Sequence, residues 1–170
     1  MRLNEILKRD GVAKGMCSPY QKELDNQETV EGLVSLYVKG IRFCVDNDYP
    51  TLDFMRKHFK GQCEPFNVFI DDEVMARNAV RIVLNGECQG TLIYDGFAVA
   101  RVVARHDTDA KMYVSDRAIV HVDAFDNSRL AIYSAGDKVK VRVRQYGNAK
   151  VDCIGKGISL EIINKNKYQL

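Results

Sequence analysis

A chain of 170 residues, 46% hydrophobic and 28% charged, can bury roughly 70% of the surface its unfolded form exposes, which is enough for one or two cores without disulfides or a structural metal. A formal charge of +2 excludes a protein that neutralises nucleic acid over its whole surface and leaves room only for a local basic patch. With 12 glycines and 3 prolines, collagen-like and low-complexity classes are excluded as well.

The five cysteines (Cys17, Cys44, Cys63, Cys88 and Cys153) are widely spaced and include no Cys-x-x-Cys pair. Such usage fits reduced, mostly buried thiols rather than a disulfide framework or a zinc knuckle. No apolar stretch follows Met1–Asp10, and no run is long enough to cross a bilayer, so the expected compartment is the cytoplasm with no membrane association.

Up to residue 64 the apolar residues recur at helical spacing, which predicts a helical N-terminal region. Leu3, Ile6 and Leu7 form a short amphipathic stretch ending near Gly11. Val30, Leu33, Val34, Tyr37, Val38, Ile41 and Val45 form a stripe that a single helix of about five turns would present to a core. Thr29 is its expected N-cap, and Gly32 and Gly40 weaken its interior. Asn47–Pro50 stops that helix, and Thr51 starts another, carrying Leu52, Phe54, Met55 and Phe59 and closed by Gly61.

From residue 65 to 170 the period shifts toward two. Short apolar segments are punctuated by Asn85-Gly86, Asp95-Gly96, Asp107–Asp109, Ser115-Asp116, Asp126-Asn127, Gly136-Asp137, Gly147-Asn148 and Gly155-Lys156, all turn-forming residues. In the stretches starting at Asp116, Asp126, Asp137 and Gly147, a turn residue is followed at alternate positions by a small or apolar residue and then an apolar one. The anchors fall every eight to eleven residues, which suits one side of a β-solenoid coil. Alternation places Ala110, Ala118, Ser128 and Ala149 inside, beside Met112, Val120, Leu130 and Val151, and places Arg117 and Lys150 outside. The gap between Asp95 and Asp109 implies an insertion or bulge. The fold class is therefore α+β, with an antiparallel sandwich or meander as the alternative.

Segments such as Tyr146-Gly147-Asn148-Ala149-Lys150-Val151 resemble the short-repeat β-helix proteins of bacterial and phage genomes, over roughly residues 86 to 163. The resemblance implies a solenoid and assigns no activity. The hexapeptide rhythm of acyltransferase helices and the calcium-binding nonapeptide of toxin repeats are both absent from the sequence.

The sharpest candidate site is the segment Lys138-Val139-Lys140-Val141-Arg142-Val143-Arg144. Period two sets Lys138, Lys140, Arg142 and Arg144 on one face and the valines on the other, a basic stripe about 20 Å long. Such a stripe could meet phosphates, anionic sugars or an acidic protein, or could simply be a solvated face that blocks association. His106, Asp107 and Asp109 with His121 and Asp123 have metal-ligating chemistry, but aspartate turns ordinarily cap local amides. Cys17 and His58 with an aspartate lack any motif that would orient a nucleophile. Tyr94, Tyr113, Tyr133 and Tyr146 near strand ends suggest a stacked ladder.

These features point to a non-enzymatic interaction or structural protein without catalytic residue, cofactor or metal. Its solenoid would display a rigid surface to a protein partner, in the manner of a phage or mobile-element product binding a host complex, with homo-oligomerisation as a secondary expectation. Residues 1–64 would cap one end and Asn164–Lys167 the other. Two alternatives are binding of nucleic acid or another polyanion through the basic strand, and a carbohydrate-active β-helix using paired carboxylates such as Asp123 and Asp126.

Overall fold

The computed structural model of the chain describes residues 1–168. They form two compact units, 1–66 and 67–168.

The first unit holds α1 (Leu3–Ala13), α2 (Ser18–Asp25), α3 (Val30–Lys39), α4 (Ile41–Asp46), α5 (Leu52–His58) and a 3-10 turn at Glu64–Phe66. Thr29 caps α3 by accepting the Gly32 amide at 3.1 Å, and Thr51 caps α5 through the Phe54 amide. The single helix expected over residues 30–45 is instead two, broken at Gly40. There the Tyr20 hydroxyl donates to the Leu36 carbonyl, and a Cβ on residue 40 would lie 2.7 Å from that hydroxyl. Helix α1 passes through Gly11, which packs against Met16, rather than ending there. Helix α2 was not anticipated, because Ser18–Asp25 is polar and buries only Leu24; Pro19 in its first turn is its one local signal.

The second unit is a parallel solenoid built from β1 (Val68–Ile70), β2 (Glu73–Arg77), β3 (Arg81–Asn85), β4 (Gln89–Tyr94), β5 (Val99–Ala104), β6 (Asp109–Ser115), β7 (Ile119–Ala124), β8 (Arg129–Ala135), β9 (Lys140–Tyr146), β10 (Lys150–Ile154) and β11 (Ile158–Ile163). Odd-numbered strands form a six-stranded sheet I, and even-numbered strands form a five-stranded sheet II. Every pairing among the described residues is parallel, which rules out the antiparallel alternative. Each eight-to-eleven-residue unit is thus one side of a coil, and two units complete a turn of the solenoid.

The alternation expected from sequence holds throughout the interior. Ala110, Met112, Ala118, Val120, Ser128, Leu130, Ala149 and Val151 are all buried. Register stacks like on like: Ile82, Val102, Val122 and Val143 form one interior column, and Leu92, Met112 and Ile132 another. Such dry, flat stacking is what β-branched and small residues provide. The expected insertion between Asp95 and Asp109 does not exist. The interval holds β5 and a turn at His106, whose φ of 57° does the work that aspartate or glycine does elsewhere.

Candidate binding face

Along Lys138–Arg144, which runs from the preceding turn into β9, Val139, Val141 and Val143 are buried and the four cations lie outside. They are not equivalent. Lys138 sits in the turn before the strand, exposed; Lys140 and Arg142 are exposed on it, and no ion pair is formed by any of the three among the described residues. Arg144 is half-buried, with its Nε 3.7 Å from Glu161 Oε2 on the neighbouring strand and Asp123 beside it in register on the other. The stripe therefore ends at Arg142 as an unneutralised charge.

The coil period extends the face in the perpendicular direction, which strand-by-strand reading missed. Arg81 on β3 pairs with Arg101 on β5, Arg101 with His121 on β7, and His121 with Arg142 on β9. At about 4.8 Å per rung this column spans roughly 14 Å of the outer face of sheet I. The signal was present in the spacing, because these residues lie one full coil apart, twice the strand repeat.

Arg101 is held in place. It donates to Asp123 Oδ2 at 2.9 Å and to the Tyr168 hydroxyl at 3.1 Å, and that hydroxyl in turn donates to Asp123 at 3.3 Å. Burial works against the Arg101 charge, but Tyr168 and Asp123 outweigh it and hold the guanidinium above its usual range. Burial first, and then the nearby Asp123 carboxylate, push the Tyr168 phenol well up. Tyr168 also packs edge-on against Phe125 and Tyr146, which stack on each other at 4.3 Å. The described part of the tail, residues 164–168, thus turns back over sheet I.

Beside the cationic column the corner leading into sheet I is apolar. Phe97 is 79% exposed, Val80 74% and Val99 62%, and the Arg117 guanidinium lies 5.6 Å from the Phe97 ring. Val99 and Ile119 continue the outer row that ends in Lys140.

The other sequence candidates separate. Asp107 and Asp109 line an open polar groove of about 920 Å³ along the opposite corner, with Glu87, Arg129 and Lys150. His106 sits at that corner with its Nδ1 accepting the Gly86 amide, whereas His121 and Asp123 lie on the outer face of sheet I. No group of three or more metal-ligating side chains gathers among the described residues. Asp123 is buried against Arg101, and Asp126 accepts the His106 amide and the Asn166 side chain, so both carboxylates are engaged in holding the fold. Cys17 precedes α2, and His58 ends α5 with its ring 4.6 Å from that of Phe54. The tyrosines do not make one ladder: Tyr113 stacks on Tyr133 at 5.1 Å outside sheet II, Tyr146 stacks on Phe125, and Tyr94 is in the core.

No family model, curated protein or solved structure matches this chain.

Proposed function

We propose that the chain is a non-enzymatic interaction protein in which the outer face of sheet I binds an acidic protein partner. The observation that carries this reading is the exposed cations Arg81, Arg142 and Lys140, in a column that also holds His121 and the Asp123-paired Arg101, set beside the exposed Phe97, Val80 and Val99. Interfaces with protein favour aromatic and arginine anchors together, whereas a phosphate backbone would be met by charge without the apolar corner. The resemblance to short-repeat β-helix proteins of bacterial and phage genomes supports placing the partner in a host complex engaged by a mobile-element product.

The test uses the purified chain immobilised in nuclease-treated extract, with each captured protein then purified and re-bound. Wild type and a sheet II control, Lys111→Glu, should retain the same acidic partner. The variants Arg81→Glu/Arg142→Glu and Phe97→Ser/Val99→Ser should each lose it. Equal binding by all four proteins would sink the proposal. Capture that occurs only in a parallel extract left without nuclease, and falls steeply with salt, would transfer the face to nucleic acid.

A further inference from the structure

The last rung of each sheet is paired on one side only: β11 with β9, and β10 with β8. The other side of each lacks a partner strand among the described residues, although on β10 the Val151 amide donates to Gln145 Oε1 at 2.9 Å, a side-chain contact that a pairing strand would replace. Folded proteins ordinarily blunt such edges with lysine, proline, a bulge or a covering segment. Strand β11 carries one charge, Glu161, and no proline. Its inward positions continue the interior columns, with Ile158 on Val141 and Leu160 on Val143. Yet Leu160 is 42% exposed and Ile162 65%. Among the described residues the apolar interior of the solenoid is left incompletely covered at this end, and Asn166 and Tyr168 are engaged elsewhere, on Asp126 and Asp123.

We propose that this end pairs with the same end of a second copy of the chain, β11 of each protomer lying antiparallel to β10 of the other. Sheet I is one strand longer than sheet II, so the end is a step. A two-fold axis along the strand direction fits step into step and covers both edges at once. Short turns make the chain run in opposite directions in the two sheets, which sets the new pairs antiparallel.

Inward residues must meet inward residues, since a one-residue slip turns every side chain to the other face. One register sets Leu160 against the partner's Val151, Ile162 against the partner's Ala149 and Ile158 against the partner's Cys153. Outside, it sets Glu161, half-exposed and 3.7 Å from Arg144 of its own chain, against the partner's Lys150 as a second cation. Sliding by two residues toward fuller overlap of Ile162 would bring Glu161 against the partner's Asp152 instead, a like-charge pair. Charge complementarity therefore selects both the occupant and the register.

Sedimentation of the purified full chain over a concentration series tests this, with circular dichroism melts to establish that each variant is folded. Wild type should dimerise and Leu160→Arg should remain monomeric. Glu161→Lys and Lys150→Glu should each raise the dimer dissociation constant roughly tenfold, since each reversal acts twice across the two-fold, and the double reversal should restore wild-type affinity. A wild type that stays monomeric, a dimer that survives Leu160→Arg, or a double reversal that restores nothing would each overturn the proposal.

Discussion

The turns of the solenoid depend on single residues in the left-handed conformation, several of them capped by a side chain of the next rung. The His106 Nδ1 accepts the Gly86 amide at 3.0 Å, Asp126 accepts the His106 amide at 2.8 Å, and Asp116 accepts the Gly96 amide at 2.8 Å. The rung beyond Asp126 is Gly147, which has no side chain to offer. Asn166 takes its place, accepting the Asp126 amide at 2.8 Å, and a Cβ on residue 147 would lie 2.7 Å from its Oδ1. Asn166→Ala should then cost about 1 kcal/mol, and Gly147→Ala, at a φ of 57°, about 1–2 kcal/mol. Because Gly147→Ala also evicts Asn166, the double variant should cost less than the sum in urea melts; strict additivity would count against a shared bond. A second residue-scale test concerns the interior. Ala118 and Ala149 are 0% and 2% exposed, so glutamate at either should bury an unpaired carboxylate and cost on the order of 3 kcal/mol or more. Arg117→Glu, outside, should leave the melting midpoint nearly unchanged.

At the scale of elements, strand periodicity and turn residues were readable because each acts locally. Val139, Val141 and Val143 had to share a face whatever they packed against, and Thr29 and Thr51 announced helix starts. Three features escape a segment-by-segment reading, and each depends on a distant segment. The break at Gly40 is tied to Tyr20, the tail's course to Asp126 and Asp123, and the cationic column to stacking of strands a full coil apart. His106 hid a turn because histidine seldom takes a positive φ. Strand β4 also carries a residue that works against its own position: the Tyr94 hydroxyl is buried with no hydrogen-bond partner among the described residues. Tyr94→Phe should therefore stabilise the solenoid by about 1 kcal/mol at neutral pH. Burial also pushes the Tyr94 phenol well up. The unfolded chain then loses this proton first, near pH 10, so stability is full below that pH and falls as pH rises through and above it. Urea midpoints from pH 8 to 11 should decline less steeply in the Tyr94→Phe variant than in wild type.

For the whole molecule, a stack in which each rung touches mainly its neighbours has stability that varies with position. Interior rungs gain contacts on both sides, and a terminal rung on one. Strands β5 to β8 lie between neighbours in both sheets, whereas β11 carries Leu160 and Ile162, which the other described residues leave largely exposed. Amide exchange in a dilute sample should accordingly be slowest in β5–β8 and fastest, among the strands, in β11 and β10, because local opening at an exposed rung costs least. End-to-end pairing of two copies changes that order in a specific way. Residues Ser159–Ile163 and Lys150–Ile154 should gain protection as protein concentration rises through the dimer dissociation constant, since mass action stabilises only what the interface orders. The exchange of β5–β8 should not respond. In Leu160→Arg the concentration dependence should vanish while the interior rates stay as in wild type. A gain in protection spread evenly over all rungs would instead point to association through a face of the sheets, and an unchanged β11 at every concentration would show that its edge stays open.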